Sequence, residues 1–238
     1  MNINIMEVID RSRQGVTRPF LCRGDDGQLY YVKGKGAGFR ALISEWIAGS
    51  LGQRLGLPIP DFRQATIPSE LIQLSARPDI GDLGVGTGFA SKLIQNADEL
   101  SFLFIGQMDE TLRARILLFD WWTANEDRTL TENGGNPNIL WVHRDHAPHV
   151  IDHNLAFDDS ALTSFWGNHV FAASRALWSK SFRETEQQRM EAALGDLDLW
   201  WQAMPPEWTE IEGEVTLESV RKLLWRFKNE PASFWEAV

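Results

Sequence analysis

The stretch from Phe119 to Phe157 constrains the fold of this chain more than any other. It contains two short apolar runs, NILWVH and HVID, separated by the polar segment RDHAP. Apolar runs of this length on either side of a turn predict two antiparallel strands joined as a hairpin. Asn138 stands at the start of the first run and Asp152 at the end of the second, with thirteen residues between them. The hairpin is therefore expected to bring these two side chains together at its open end.

Asp127 adds an acid upstream of the hairpin, in the polar turn that follows an apolar helix. Phosphoryl transfer needs a carboxylate beside the acceptor hydroxyl, oxygen ligands for Mg²⁺, and a cation on the nucleotide phosphates. Asp127 has the position of the first group, and Asn138 and Asp152 have the positions of the second. The stretch therefore predicts a magnesium-dependent phosphoryl-transfer site.

A cation of the required kind precedes this stretch at Lys33. The segment from Arg18 to Lys33 contains an Asp-Gly turn signal between apolar runs, which predicts a hairpin with Lys33 at the end of its second strand. A helix is predicted to begin near Phe39 and to stop at Gly56. Glu45 lies among apolar residues of that helix, where a carboxylate needs a cation, and Lys33 is the nearest candidate. An exposed Glu45 on an ordinary amphipathic helix fits this segment equally well.

Two segments contain glycines of the kind found in phosphate-binding loops. Residues 11–19 read RSRQGVTRP, a small, polar and basic composition that suits backbone amides closing over phosphates, with Ser12 and Gly15 as binding candidates. An ordinary surface turn has the same composition. The later run GVGTG (84–88) lacks the preceding strand and following helix of a dinucleotide fingerprint, so we interpret it as a flexible loop.

The middle of the chain contains a predicted linker. A strand is expected from Ala90 to Ile94, followed by a linker from Gln95 to Asp98, in which Gln95 is a further nucleotide-binding candidate. The segment ADELSFLFIG is then expected to be a short helix. A long helix with an acidic N-terminal cap follows and is expected to end at Asn125.

The two halves of the chain differ in their predicted secondary structure. Further helical stretches are predicted after the central hairpin, over residues 161–178 and 183–205, and a closing helix follows the segment PPEW. The N-terminal half is mainly strand and the C-terminal half mainly helix. We therefore predict a bilobal α+β fold, with a small β-rich lobe over residues 1–96 and a larger, mainly helical lobe over residues 97–238.

Composition narrows the classes of partner. The chain has 238 residues, 43% of them hydrophobic, which is enough to bury a sizeable core. A net charge of -10 without a basic patch argues against direct binding of nucleic acid.

The single cysteine, Cys22, excludes an internal disulfide. There is no signal-peptide pattern and no apolar run of about 18 residues, so we expect a soluble, cytoplasmic protein that does not bind membranes.

These segments resemble those of the HipA-like kinases. The runs ANEDRT, NPNIL and VIDHNLAF are similar to the catalytic and metal-binding segments of that family, and also to the Asp-Arg-His and Ile-Asp-Phe-Gly segments of phosphatidylinositol kinases. The runs YYVKG, SEWIAGSLGQRLGLPIP and MPPEW match the HipA-like pattern as well. The resemblance covers most of the chain. It implies a protein-kinase-like fold, ATP with Mg²⁺, and transfer to a Ser or Thr hydroxyl of a protein, the kinase itself included.

The resemblance also assigns roles to individual positions. Some relatives are toxins paired with an antitoxin, which implies an antitoxin-like partner. Residues 11–19 resemble the family's phosphate loop, where Ser12 is a candidate for self-modification. The phosphate Lys, its Glu partner, the catalytic Asp, the metal-binding Asn and the metal-chelating Asp correspond, in that order, to Lys33, Glu45, Asp127, Asn138 and Asp152.

The spacing of the metal-binding Asn departs from the family pattern. The family commonly has this Asn five residues after the catalytic Asp, whereas Asn133, Asn136 and Asn138 follow Asp127 by six, nine and eleven positions. Asn138 is preferred because it directly precedes ILW, with LTENGG as an insertion. Asn136 is the alternative ligand.

The histidines of this region suggest a different kind of site. His143, His146, His149 and His153 fall within eleven positions, and zinc sites use such residues. Side chains on two antiparallel strands alternate between faces, so we do not expect the four to converge. His153 and Asn154 also stand where many kinases carry Phe-Gly, which implies a different mode of regulation.

Two other functions stay open alternatives. A small-molecule kinase of the same fold has the same central residues, because acceptor choice lies in the helical lobe and fold does not fix substrate. A non-catalytic, nucleotide-binding pseudokinase or partner protein of a toxin-antitoxin-like module would explain the displaced Asn.

Overall fold

The computed structural model of the protein describes residues 2–12, 17–163, 165–210 and 215–236. Within these ranges the chain forms ten strands, which are β1 (Asn2–Arg11), β2 (Phe20–Gly24), β3 (Leu29–Lys33), β4 (Phe62–Ile67), β5 (Gly86–Lys92), β6 (Ala97–Glu99), β7 (Thr129–Thr131), β8 (Gly134–Asn136), β9 (Ile139–Val142) and β10 (Ala147–Val150). The same ranges contain ten α-helices, which are α1 (Phe39–Arg54), α2 (Ser69–Gln73), α3 (Glu110–Thr123), α4 (Phe165–Asn168), α5 (Lys180–Leu194), α6 (Leu197–Gln202), α7 (Pro206–Thr209), α8 (Leu217–Leu224), α9 (Arg226–Asn229) and α10 (Pro231–Trp235).

Five strands close into a barrel in the order β1-β2-β3-β5-β4. β1 pairs antiparallel with β2 and parallel with β4, and the parallel pairing closes the barrel. The hairpin predicted between Arg18 and Lys33 is confirmed as the antiparallel pair β2–β3. Side chains that point inward from alternate strand positions form a separate apolar core, which includes Ile3, Ile5, Phe20, Tyr30 and Val32.

β5 begins earlier than the sequence predicts. The glycine run was expected to be a loop before a strand from Ala90 to Ile94, but β5 already begins at Gly86. Gly88 is needed inside the strand, because a Cβ there would lie 2.6 Å from the carbonyl oxygen of Lys33. The close approach of β5 to β3 therefore accounts for this glycine.

α1 lies largely buried and contributes to the larger of the two apolar cores, together with α3 and α8. It begins at Phe39 as predicted and ends at Arg54. Gly56 follows with a φ of +74°, a conformation that glycine adopts without steric cost. A Cβ at Gly52 would lie 2.8 Å from the side chain of Ile59, so this helix packs closely against the segment that leads into β4.

The predicted central hairpin is confirmed. β9 and β10 pair antiparallel, with Ile139 opposite Val150. β6 pairs with the other side of β9, so the helix predicted for ADELSFLFIG is wrong over Ala97–Glu99. Pairing with an existing strand outweighs the helix preference of Ala97 and Glu99. A 3₁₀ helix follows at Phe102–Gln107.

α3 has the predicted acidic cap but ends before the predicted position. The carboxylate of Asp109 accepts a hydrogen bond from the backbone nitrogen of Leu112 at 2.7 Å. The helix ends at Thr123 and not at Asn125, because Ala124 adopts a left-handed conformation with a φ of 52°. The chain then turns toward Asp127.

The C-terminal part is helical, as predicted, but more interrupted. The single closing helix predicted after PPEW is replaced by α8, α9 and α10, and Pro231 begins the last of these because it cannot continue a preceding helix. The helix predicted over residues 161–178 is replaced by α4 between two 3₁₀ helices, Asp159–Thr163 and Ala172–Leu177. None of the helices in the described ranges is long and apolar enough to cross a membrane.

Candidate active site

A cleft lies between the barrel and the β9–β10 hairpin. Tyr31 and Phe62 line it from the barrel, and Leu140 and Val150 line it from the hairpin. The fold thus brings together residues that are far apart in the sequence. Six predicted site residues line the same cleft, namely Ser12, Lys33, Glu45, Asn136, Asn138 and Asp152.

Three predicted site residues are not among those that line the cleft. Gly15 lies outside the described residues. Gln95 is exposed in the turn before β6, and its neighbour Ile94 lines the cleft instead. Asp127 is connected to the cleft through hydrogen bonds with two of its lining residues.

Lys33 is buried between two carboxylates. Its Nζ lies 2.5 Å from Glu45 Oε1 and 2.7 Å from Asp152 Oδ1. The predicted ion pair between Lys33 and Glu45 is therefore present, and the alternative of an exposed Glu45 is wrong, because this residue is only 3% exposed. Burial lowers the pKa of Lys33, but the charges of Glu45 and Asp152 outweigh burial and raise it above the ordinary lysine value. Lys33 is therefore a stable cation in the cleft.

The two carboxylates that bind Lys33 are shifted in opposite directions. Burial raises the pKa of Glu45, but the opposite effect of Lys33 and His153 is larger. The pKa of Glu45 is therefore below its ordinary value. Burial, with the charges of Glu45 and Asp127, raises the pKa of Asp152 despite the opposing charge of Lys33. A divalent cation beside Asp152 would favour its ionised form.

His153 contacts Oε2 of Glu45, the carboxylate oxygen that does not bind Lys33. The backbone nitrogen of His153 donates a hydrogen bond to Glu45 Oε2 at 3.2 Å, and His153 Nδ1 lies 3.6 Å from the same oxygen. Its ring packs edge-on against Phe119, with 5.7 Å between ring centroids. His153 stands at the position that carries Phe in many kinases. In this protein it therefore helps to fix Glu45, which in turn binds Lys33.

The other histidines of the central stretch point elsewhere. His143 is exposed, with Nε2 3.4 Å from Asp98, and Nδ1 of His146 lies 2.9 Å from the side-chain oxygen of Gln107. In the part of the chain that the structure describes, no three His, Cys, Asp or Glu side chains are grouped so that they could hold a metal ion. The structure therefore gives no support to a histidine metal site.

Asp127 accepts hydrogen bonds from both candidate asparagines. Asn136 Nδ2 and Asn138 Nδ2 donate to Asp127 Oδ2 at 2.9 and 3.0 Å. Each amide directs its nitrogen to Asp127, so its oxygen lies on the other side of the planar group. Asn138 is also linked to the neighbour of Asp152, because the backbone nitrogen of Ile151 donates to the carbonyl oxygen of Asn138 at 2.9 Å.

A buried network beneath these residues was not predicted from the sequence. Arg128 and Asp120 are both fully buried, and Arg128 Nε donates to Asp120 Oδ2 at 2.7 Å. Arg128 Nη1 also donates to the carbonyl oxygens of Pro137 at 3.1 Å and Asn138 at 2.5 Å. His169 Nε2 lies 2.9 Å from the same Asp120 oxygen. The signal in the sequence is an acid, Asp120, within the otherwise apolar run LLFDWW.

The oxygen atoms of the cleft suit Mg²⁺. This ion prefers carboxylate and amide oxygens, which Asp152, Asn138 and Asn136 offer in the cleft that Lys33 also lines. Asn138 and Asp152 both adopt positive φ angles, 47° and 57°, which Asn and Asp tolerate better than most residues. The donor set is therefore of the right chemical type for the metal that the sequence predicts.

Comparison with known proteins identifies the family of this chain and a protein of similar fold. The HipA-like kinase family matches this chain over residues 5–238. Among solved structures, the crystal structure of a Helicobacter pylori proinflammatory kinase, CtkA, is similar with a TM-score of 0.57, covering 98% of this chain and 95% of that chain at 11% sequence identity. At this identity the likeness concerns the fold. No curated protein matches the chain. Because the family match spans nearly the whole chain, the protein belongs to the HipA-like kinases.

Proposed function

We propose that the protein is an ATP-dependent kinase that transfers the γ-phosphate of ATP to a Ser or Thr hydroxyl of a protein, itself included. The observation that carries the proposal is the position of Lys33 between Glu45 and Asp152, in the cleft that Asn138 lines beside Asp127. A cation, metal-ligand oxygens and a carboxylate are the groups that phosphoryl transfer requires. The proposal includes two lobes, a smaller one over residues 1–96 and a larger one over residues 97–238.

Asp127 is proposed to orient the acceptor and to take its proton. The side-chain amides of Asn136 and Asn138 both donate to Asp127 Oδ2. Among the hydrogen bonds of the described residues this leaves Oδ1 as the oxygen for the acceptor hydroxyl. The acceptor oxygen forms a bond to the γ-phosphorus, the bond from that phosphorus to the β–γ bridging oxygen breaks, and ADP leaves. The hydroxyl proton passes to Asp127 Oδ1.

Lys33 is proposed to neutralise charge on the nucleotide phosphates, and Glu45 keeps its ammonium in place. Asn138 and Asp152 would hold Mg²⁺, with Asn136 as the alternative amide ligand. Bound Mg²⁺ supplies further charge stabilisation to the transferring phosphate. The buried position of Lys33 strengthens its interaction with a phosphate, since little water competes for it.

The remaining binding residues are proposed from their place around the cleft. Tyr31, Ile59 and Leu140 give the cleft apolar surface that suits a planar nucleobase. Ser12 lines the same cleft, which supports a phosphate-loop role for the segment that also contains Gly15. Gln95 lies in the turn next to Ile94 and is proposed to contact the nucleotide from the linker.

The partner proposed for this cleft is a protein with a Ser or Thr acceptor, and an antitoxin-like protein is a further proposed partner. The net charge of -10 disfavours direct contact with nucleic acid, because the phosphate backbone repels an acidic surface. We propose no membrane partner.

Incubation of the protein with ATP and Mg²⁺, followed by mass spectrometry of intact protein and of metabolites, tests the function. Asp127→Asn should lower the transfer rate by about 10²- to 10⁴-fold, because the acceptor loses its base. Glu132→Gln, at the exposed tip of the β7–β8 hairpin, is the matched control and should keep full activity. Full transfer by Asp127→Asn would refute the assignment.

Mass spectrometry and a thermal-shift titration together separate the alternatives. Phosphate on a small metabolite and never on protein would indicate a small-molecule kinase. Absence of a thermal shift with ATP and Mg²⁺ would indicate a non-catalytic partner protein, because a ligand that binds the folded state raises its stability.

A further inference from the structure

The β7–β8 hairpin separates the catalytic Asp from the metal-binding Asn. Asn138 follows Asp127 by eleven positions, and the six residues 130–135 form most of the hairpin between them. A longer connection between two groups has more conformations to lose when they are brought together. A structure that holds Asn138 beside Asp127 at this spacing therefore needs contacts at the base of the hairpin.

Arg128 supplies two of those contacts. It directly follows Asp127, and its Nη1 donates to the carbonyl oxygens of Pro137 and Asn138 on the other side of the hairpin base. The guanidinium is fully buried, so both hydrogen bonds are shielded from water. One side chain thus connects the residue after the catalytic Asp with the backbone of the metal-binding Asn.

Asp120 anchors this guanidinium to α3. Its two carboxylate oxygens accept from Arg128 Nε at 2.7 Å and from Arg128 Nη2 at 3.2 Å. Asn125 Nδ2 donates to Asp120 Oδ1 at 3.1 Å, and His169 Nε2 lies 2.9 Å from Oδ2. The anchor is part of a rigid helix that belongs to the larger core, so the direction of the Arg128 fork is fixed.

We infer that Asp120 and Arg128 form a positioning clamp that fixes Asn138, and with it Asp127, for metal binding and transfer. The inference rests on the proposed function. Both residues are fully buried, and neither is among the residues that line the cleft. The clamp acts through the backbone carbonyls of Pro137 and Asn138, and it allows the catalytic loop to keep its geometry despite the inserted hairpin.

Arg128→Lys tests the clamp. Lysine keeps the positive charge beside Asp120, but its single ammonium cannot bind the carboxylate and two carbonyls as the planar fork does. We expect at least a fivefold rise in the Mg²⁺ concentration for half-maximal activity and at least a tenfold fall in kcat. The KM for ATP at saturating Mg²⁺ should change less than twofold.

The double variant Asp120→Asn/Arg128→Met separates positioning from stability. It removes both charges together, so no unpaired charge remains buried. We expect its Tm to exceed that of Asp120→Asn alone, while the Mg²⁺ requirement stays raised at least fivefold. Residues 130–135 can also be deleted, both from the double variant and from the wild-type protein. The Mg²⁺ requirements of these two deletion proteins should then agree within twofold. A wild-type Mg²⁺ requirement in both Arg128→Lys and the double variant would overturn the inference.

Amide hydrogen exchange tests the clamp independently of activity. The backbone nitrogen of Ile151 donates to the carbonyl oxygen of Asn138, so loosening of Asn138 should speed exchange at Ile151 at least tenfold in Arg128→Lys. Unchanged exchange would overturn the inference, even if wild-type protein transfers phosphate. If exchange is faster in Arg128→Lys but the wild-type protein transfers no phosphate, the kinase function would be refuted and the clamp would remain supported.

Discussion

Lys33 Nζ lies 2.7 Å from Asp152 Oδ1, although 119 positions separate the two residues. Lys33 ends β3 in the barrel, and Asp152 follows β10 of the central hairpin. The same ammonium also binds Glu45 on α1. One buried cation therefore connects three parts of the fold.

Lys33→Met should destabilise the protein by about 3 kcal/mol, because it leaves the buried Glu45 carboxylate without its cation. Chemical denaturation monitored by Trp fluorescence measures the change in the free energy of unfolding. The double variant Lys33→Met/Glu45→Gln should recover at least half of that loss, since the Glu45 charge is removed with its cation and only the more exposed Asp152 stays without its partner. Equal destabilisation in the single and double variants would show that the unpaired Glu45 charge is not the main cause of the loss.

The choice between Asn136 and Asn138 can be tested through the Mg²⁺ requirement. Asn138→Gly removes the side chain while glycine tolerates the positive φ of 47° at this position. We expect it to raise the half-activating Mg²⁺ concentration about tenfold, as loss of one ligand worth about 1.4 kcal/mol would. Asn136→Ala should lower kcat through the orientation of Asp127 and leave the Mg²⁺ requirement near the wild-type value. The opposite pattern would identify Asn136 as the ligand.

Sequence patterns predicted the contacts that arise within short segments. The hairpin from Asn138 to Asp152 follows from two apolar runs and a polar turn, and Glu45 was predicted to need a cation because it lies among apolar helix residues. These features depend on periodicity and burial, which a single sequence expresses. The Lys33–Glu45 pair is therefore the part of the site that residue patterns describe best.

The missed features depend on contacts between distant segments. The barrel closes through parallel pairing of β1 with β4, which no local pattern indicates. Ala97–Glu99 becomes a strand only because β9 offers an edge. Asp120 and Arg128 are eight positions apart across the end of a helix, and their partners Pro137 and Asn138 lie beyond an inserted hairpin. Such contacts depend on tertiary packing, which overrides local preference.

A brace between α7 and the barrel should contribute measurably to stability. Glu207 Oε1 accepts from the backbone nitrogen of Thr87 at 2.6 Å, and Trp208 Nε1 donates to the carbonyl oxygen of Thr87 at 3.0 Å. Trp208→Phe leaves that carbonyl without its donor and should cost about 2 kcal/mol. Glu207→Gln keeps an acceptor but loses its charge and should cost about 1 kcal/mol.

The control for this brace is Glu210→Gln, an exposed acid next to α7 that undergoes the same change of charge. Thermal unfolding should show a Tm within 1 °C of wild type for this control, as for most surface substitutions, which stay within about 0.5 kcal/mol. A Tm loss for Glu207→Gln no larger than that of Glu210→Gln would contradict a stabilising role for the contact with Thr87.

The buried His169 should make stability fall as the pH drops below the ordinary histidine pKa of about 6.5. Burial, together with the charge of Arg128, lowers the pKa of His169 even though Asp120 opposes the shift. Between the folded and unfolded pKa values the unfolded chain binds a proton that the folded protein does not, so stability decreases with acidification by up to about 1.4 kcal/mol per pH unit. His169→Gln should flatten this slope in urea denaturation between pH 7 and pH 5. His149→Gln is the matched control, because burial lowers its pKa while the residue is only partly buried, and it should flatten the slope less. An unchanged slope in His169→Gln would show that folding does not lower the pKa of His169, and a steeper slope would show that folding raises it.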